Sequence, residues 1–159
     1  MKGDPRVIET LNSLLARELT VVSQYMVHAE ICDNWGYGGL HDAIQKRAVV
    51  EMKHAEKLIG RILFLEGIPM VSELQKMHIG AEVPKMFAND HEAELDAIKQ
   101  YNAGILTCGD SKDFATREIL ENILNDEEPE PPPKLANKTT CSSFIFPSSS
   151  STFALLFSQ

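Results

Sequence analysis

Apolar side chains recur every three or four positions along most of this chain, and that spacing marks one face of an α-helix. In the first segment Asp4 can cap a helix, and Pro5 suits its first position. The glycine-rich stretch 36–39 then predicts a turn after Trp35. We therefore expect a first helix from about 5 to 35, with an inward stripe of Val7, Leu11, Leu14, Leu15, Val22, Tyr25 and Ala29.

A second stripe of the same period predicts a helix over about 41–66, which Gly67 and Pro69 end. Residues 69–81 follow neither helical nor strand periodicity. A helix of about 27 residues is about 40 Å long, and about 13 extended residues reach roughly 43 Å. The segment 69–81 can therefore run the length of a bundle and start the third helix parallel to the second, as the long crossover of ferritin-like bundles does.

The remaining helical pattern predicts two further helices. The third covers about 83–107 and carries Phe87, His91, Glu94, Ile98, Tyr101 and Ile105 on one stripe. Asp110 and Ser111 predict the start of the fourth. Its inward residues are expected to be Phe114, Leu120, Ile123 and Leu124. The pattern as a whole predicts an all-α four-helix bundle over 1–128, with the fourth helix truncated.

The helical pattern stops at Pro129, and three more prolines follow at 131–133. A proline inside a helix removes a hydrogen bond and clashes with the preceding turn, at a cost of about 3 kcal/mol. After Pro133 the chain has no acidic residue, and it includes the serine run 148–151. We therefore expect 129–159 to be a Pro/Ser-rich, unstructured tail. So abrupt a change is what a reading-frame shift or a truncation produces.

Composition narrows the classes of function. The formal net charge is −8, with no basic stripe, so a nucleic-acid partner is not expected. No apolar run is long enough to span a membrane. The cysteines Cys32, Cys108 and Cys141 are too widely spaced for a CxxC pair, and the first residues contain no apolar signal core. These features together predict a cytoplasmic protein with free thiols.

Four acidic residues interrupt the apolar stripes of the four predicted helices, namely Glu18, Glu51, Glu94 and Glu127. His54 follows Glu51 by three positions and therefore shares its face. A single glutamate at such a position usually pairs with lysine or arginine or reaches water. Four from four helices are better explained by a shared metal centre, because buried carboxylates must be paired or bound to a cation. Glutamate and Glu-x-x-His ligands are typical of di-iron and di-manganese bundles.

The chain also resembles a known family. Several stretches closely resemble bacterioferritins, namely Met1-Lys2-Gly3-Asp4, Asn34-Trp35-Gly36, Glu51-Met52-Lys53-His54-Ala55-Glu56 and Arg61-Ile62-Leu63-Phe64-Leu65-Glu66-Gly67. The resemblance covers about 1–128. It implies an iron-storing ferritin that contains haem b and assembles as a homo-oligomeric cage of 24 subunits.

The resemblance also implies roles for individual residues. Glu18 and His54 would be terminal ligands of one iron ion and Glu94 of the other, while Glu51 and Glu127 would bridge the two. Met52 would be an axial haem ligand, shared across a two-fold dimer. A methionine on a helix is otherwise most often a packing residue. Tyr25 matches a tyrosine near the di-iron centre, and its other reading is a core tyrosine with a bonded hydroxyl.

The chain departs from the family at two positions. Family members carry a histidine three residues after the last bridging glutamate, and here that position is Glu130, between Pro129 and Pro131. The second iron site is therefore in question. Lys46 stands where some members have a histidine that handles iron on the inner surface.

Three functional hypotheses follow. The first is a ferroxidase, in which two Fe(II) bind among the carboxylates, react with dioxygen or peroxide, and leave as Fe(III) for a mineral store. The second is a haem-binding bacterioferritin-like subunit with a defective second iron site and little oxidation activity. The third is a rubrerythrin-like peroxidase, which the absence of any CxxC pair disfavours.

Overall fold

The computed structural model describes residues 2–127, which form four helices and no strand. The helices are α1 (Pro5–Asn34), α2 (Gly38–Phe64), α3 (Val83–Asp110) and α4 (Phe114–Glu127). The predicted all-α four-helix bundle is confirmed. No helix among residues 2–127 combines the length and the apolar character that a membrane span requires. The predicted tail 129–159, with Pro129, Glu130 and Cys141, lies outside the described residues.

Two predicted helix boundaries are wrong. The helix α2 begins at Gly38 rather than at about 41, so Gly38 and Gly39 belong to the helix and Gly36, with a φ of 83°, forms the turn. The start of α4 was expected at Asp110, but Asp110 ends α3. Asp113 caps α4 instead, because its Oδ1 accepts the Thr116 N–H at 3.0 Å. Several aspartates near a helix end can serve as a cap, and sequence spacing alone does not choose among them.

The segment between α2 and α3 is confirmed as a long crossover, and polar side chains of α1 hold it. At its start, the Met70 N–H donates to Asn12 Oδ1 at 2.8 Å. Further along, the Gln75 N–H donates to Thr20 Oγ1 at 2.7 Å. The Gly80 N–H then donates to His28 Nε2 at 3.1 Å. The crossover therefore runs beside α1 from its first third almost to its end, about 24 Å at 1.5 Å per residue.

Contacts between the helices give the directions of α2 and α3 relative to α1. Gly3 N–H donates to the Leu65 carbonyl at 3.0 Å, so the end of α2 lies at the start of α1. Gln24 on α1 donates to Asp90 near the start of α3, and Tyr101 further along α3 reaches back to Glu18. The helix α3 is therefore antiparallel to α1 and parallel to α2, as expected.

Two apolar clusters form the core on either side of the buried acidic residues. The larger is built from Val7, Leu11, Leu14, Leu15, Ala55, Leu58, Ile62, Leu65, Ala97, Tyr101, Cys108, Leu120 and Ile123. The smaller consists of Val21, Tyr25, Ala29, Cys32, Ile44, Ala48 and Met86. Phe114 was expected inward, but it is the first residue of α4 and is 63% exposed. His91 is also exposed, and Met86 rather than Phe87 is the buried residue of that turn.

Candidate metal centre

Four side chains from three helices meet in the middle of the bundle, between the two apolar clusters. One ligand atom of each lies within 4.8 Å of the others, and we call this group the buried tetrad: Glu18, Glu51, His54 and Glu127. All four residues are buried. The helical stripes carry them inward because each occupies a position that the stripe otherwise gives to an apolar residue. Four of the five predicted ligands are thus brought together.

His54 links two carboxylates of the tetrad. Its Nδ1 lies 3.2 Å from Glu51 Oε2 and 3.1 Å from Glu127 Oε1. Its Nε2 lies 3.3 Å from Oδ2 of Asp126. Burial alone would lower the pKa of His54, but the hydrogen bonds to Glu127 and Glu51 raise it to about 10. The imidazole is therefore protonated at neutral pH and supplies a positive charge among the carboxylates.

Glu18 is the most deeply placed carboxylate. Its Oε1 accepts a hydrogen bond from the Tyr101 hydroxyl at 2.5 Å and another from Arg17 Nη1 at 3.0 Å. Burial raises the pKa of Glu18 to about 8, although Arg17 opposes the shift. The carboxyl group is therefore mostly neutral at pH 7.

Glu94 differs from the tetrad, although the sequence pattern treats it as an equal. Its side chain is 21% exposed, and it is not part of the group within 4.8 Å. The Tyr25 hydroxyl donates to Glu94 Oε1, which also accepts from Arg47 at 3.0 Å. Burial and a hydrogen bond shared with Glu127 raise the pKa of Glu94 to about 7. Glu94 therefore lies beside the tetrad and is linked to it through Arg47, which also contacts Glu51.

Glu127 has the opposite pKa shift. Burial alone would raise the pKa of Glu127, but hydrogen bonds with His54 and Glu94 lower it to about 2. It is the last described residue of α4 and is 4% exposed. A carboxylate with this pKa stays charged at neutral pH and is ready to bind a cation without losing a proton.

Two arginines of the centre were missed by the sequence analysis. Arg17 is buried, and its Nη2 donates to the Ala93 carbonyl at 3.2 Å. Arg47 lies on α2, four residues before Glu51, and is 41% exposed. Their positions in the sequence could have pointed to them. Arg17 adjoins Glu18, and Arg47 and Glu51 have the spacing of a helical ion pair. Each contacts at least two carboxylates of the centre.

The donor atoms suit a hard metal cation. Among residues 2–127, several buried carboxylate oxygens accept no hydrogen bond, namely Glu18 Oε2, Glu51 Oε1, Glu94 Oε2 and Glu127 Oε2. Glu51 Oε1 does lie 2.7 Å from Arg47 Nη2, but as an ion pair. Buried oxygens of this kind are costly unless a cation binds them. Carboxylate oxygens with one imidazole nitrogen are ligands that iron, manganese and zinc accept.

The remaining predicted residues lie away from the tetrad or beside it. Met52 follows Glu51 but is 46% exposed, so its thioether is not a core packing group. Lys46 is exposed on α2. Tyr25 is buried and bonded to Glu94, which agrees with both readings of that residue.

A four-helix bundle with a long crossover and a buried carboxylate–histidine group is the architecture of ferritin-like proteins. The family model for the ferritin-like domain matches residues 8–130. A bacterioferritin of Rhodobacter capsulatus is 39% identical over 128 residues, which cover 80% of each chain. A bacterioferritin of Streptomyces coelicolor is 41% identical over 128 residues, 80% of this chain and 77% of its own. The chain therefore belongs to the ferritin family, among the bacterioferritins, and the resemblance stated from sequence is confirmed.

Proposed function

We propose that this protein stores iron, and that it oxidises Fe(II) at the centre formed by the buried tetrad and Glu94. The observation that carries the proposal is the convergence of four ligand atoms within 4.8 Å in the middle of the bundle. Fe(III) would then be kept as mineral inside a cage of 24 subunits in the cytoplasm. The relatives named bacterioferritin support iron as the substrate.

The proposed mechanism assigns each ligand a task. Glu18 and His54 bind one Fe(II), Glu94 binds the other, and Glu51 with Glu127 bridges the two. Two ions held side by side can each give one electron to dioxygen or peroxide. Hard carboxylate oxygens favour the ferric product. Glu18 and His54 must lose their protons to bind, and Tyr101 and Arg17 keep the Glu18 carboxylate in place.

A haem-binding subunit with a defective second iron site is the second candidate. The position of Arg47 favours it, because Arg47 Nη2 lies 3.0 Å from Glu94 Oε1 and 2.7 Å from Glu51 Oε1. The Arg47 guanidinium already lies among the carboxylates that would bind the second Fe(II) ion. The two candidates therefore differ in how many Fe(II) ions each subunit binds tightly.

An anaerobic Fe(II) titration of the full chain separates these candidates. We expect two tight ions per subunit if the centre is a ferroxidase, and one or none if the second site is defective.

The affinity of the centre for the first Fe(II) ion should rise with pH. Glu18, with a pKa of about 8, and His54, with a pKa of about 10, are both protonated at pH 7. Two protons must then leave, so affinity should rise about 100-fold per pH unit below pH 8.

The slope of this pH dependence is itself diagnostic. Well above pH 8 Glu18 has lost its proton, so the expected rise drops to about tenfold per pH unit. Calorimetry in two buffers of different ionisation enthalpy counts the released protons directly. An affinity that does not change between pH 6 and pH 8 would contradict binding at Glu18 and His54.

We also propose that Met52 would hold the iron of a haem b that two subunits share. The thioether is 46% exposed on α2, so it is accessible to a group bound outside the bundle. It lies about 100° round the helix from Glu51, away from the metal centre. The haem would supply an electron-transfer group, while the protein residues fix its position.

The variant Met52→Leu should lose the haem Soret absorbance, because leucine has a similar volume and no sulfur to ligate iron. Binding of Fe(II) at the tetrad should remain, since Met52 faces away from it. The matched control is Met77→Leu, which changes a methionine of the crossover that is 37% exposed. Haem retained at full occupancy in Met52→Leu would refute the assignment.

A further inference from the structure

Arg47 contacts all three carboxylates that the proposed mechanism assigns to the second iron ion. We call Glu51, Glu94 and Glu127 the second-ion carboxylates. One nitrogen, Arg47 Nη2, lies 2.7 Å from Glu51 Oε1, 3.0 Å from Glu94 Oε1 and 3.8 Å from Glu127 Oε2. One guanidinium nitrogen thus lies within ion-pair distance of three carboxylate oxygens, as a bound metal ion would.

The other arginine of the centre is held differently. Arg17 is buried, and its two terminal nitrogens are fixed by Glu18 Oε1 at 3.0 Å and by the Ala93 carbonyl at 3.2 Å. Arg47 is 41% exposed, and within residues 2–127 its ion pairs are with Glu51, Glu94 and Glu127. Arg17 is therefore held on two sides in the interior, whereas the Arg47 side chain already reaches the surface.

The surroundings of Arg47 give it room to move. A cavity of about 260 Å³ lies against α2 and α3, and Arg47 forms part of its lining. Tyr25 and Glu94 lie on the same lining, and so does Asp90. A guanidinium that leaves the second-ion carboxylates can therefore enter this cavity, although the Asp90 carboxylate on its wall is already bonded to Gln24 and His28.

We propose that Arg47 is a displaceable cation that takes the second metal position in the metal-free protein, so that a second divalent ion binds only when the guanidinium moves out. The inference rests on the proposed function, because it concerns the same centre. This role of Arg47 means that the two metal ions bind in a fixed order. The first ion binds at Glu18 and His54, and the second binds more weakly because it must replace a charge already in place.

The test compares Arg47→Gln with Arg47→Lys and the unchanged chain, with Co(II) as the probe. Glutamine removes the charge, whereas lysine keeps it on the same helix. We expect the second Co(II) to bind at least about tenfold more tightly to Arg47→Gln, since a unit charge at this range shifts an ionic equilibrium by one or more powers of ten. Arg47→Lys should stay close to the unchanged chain. Titration calorimetry and the visible Co(II) absorbance both report the two binding steps.

A melting experiment gives a readout that a purely structural role would not produce. Without metal, Arg47→Gln should melt at a lower temperature, because three carboxylates lose their cation. With saturating Co(II), its gain in melting temperature should exceed that of the unchanged chain. The matched control is Arg117→Gln, which breaks an exposed pair four residues apart, between Arg117 and Glu121 at 2.7 Å. This control should change neither the second binding step nor the gain.

The outcomes separate the two proposals. Equal second-step affinity in Arg47→Gln and the unchanged chain, with metal bound in both, overturns the role of Arg47 and leaves the metal centre standing. Tighter binding in Arg47→Lys as well as Arg47→Gln shows that charge is not the cause and also overturns it. Absence of Co(II) and Fe(II) binding in every variant overturns the metal centre, and the role of Arg47 with it.

Discussion

The double variant Glu18→Gln/His54→Gln should lose the fast phase of Fe(II) oxidation. Both residues are assigned as terminal ligands of one ion, so the variant keeps only the bridging carboxylates for that position. Changing a residue that merely orients a metal ligand lowers affinity by about 10- to 100-fold. Loss of two ligands should therefore slow the fast phase by at least about 100-fold. Stopped-flow absorbance of Fe(III) measures it.

The replacement at Glu18 is chosen so that it leaves the bundle intact. Glu18 has a pKa of about 8, so glutamine resembles the neutral form that it already has at pH 7. Its amide oxygen can still accept from Tyr101 and Arg17, which donate to Glu18 in the unchanged chain. Circular dichroism of the single variant Glu18→Gln should therefore show the same helical content as the unchanged chain.

A matched control tests whether removing any negative charge from α2 slows the oxidation of Fe(II). Glu56 lies on the same helix, two residues after His54, and is exposed. The variant Glu56→Gln should oxidise Fe(II) at the unchanged rate. A fast phase that survives in the double variant would place the reaction elsewhere on the protein and end the ferroxidase proposal.

The sequence predicted the tetrad because a buried carboxylate leaves a visible trace. Each of Glu18, Glu51 and Glu127 occupies a position where the helical period demands an apolar residue. No such trace exists for Arg17 and Arg47. Arginine normally reaches water with its charged end, so its position on a stripe does not tell whether it points inward. Only the structure brings Arg47 to three carboxylates at once.

The crossover is a second example of contacts that the sequence alone does not predict. Its length and direction follow from chain geometry, which sequence gives directly. Its anchors do not, because Thr20 and His28 on α1 are polar residues that a stripe analysis assigns to solvent. In the structure they are buried and accept N–H groups of the crossover. Their partners are more than 50 positions away in the chain, at Gln75 and Gly80.

The packing of α4 gives the second large expected effect, which concerns stability. Leu120 is fully buried, and it lies where α4 meets α3 at Gly104. A Cβ placed on Gly104 would lie 3.2 Å from Leu120 Cδ1 and 3.4 Å from Leu14 Cδ1. The three helices α1, α3 and α4 therefore approach closely at this point, and Leu120 fills the space between them.

The variant Leu120→Ala should lower the free energy of unfolding by about 3 kcal/mol, within the range for a leucine truncated in a well-packed core. Urea unfolding of the metal-free full chain, followed by circular dichroism, measures the change. The matched control is Leu106→Ala on α3, where the leucine is 70% exposed. Its expected change is within about 0.5 kcal/mol. Equal changes in the two variants would show that α4 does not pack as described.

The same variant connects stability to the metal centre. Leu120 and Glu127 are seven residues apart on α4, so they lie on one face of the helix. Packing at Leu120 therefore holds Glu127 against His54, where the two side chains are 3.1 Å apart. We expect Leu120→Ala to weaken Fe(II) binding as well as the fold, and Leu106→Ala to change neither. A destabilised Leu120→Ala with unchanged Fe(II) affinity would mean that Glu127 is positioned by the carboxylate cluster itself.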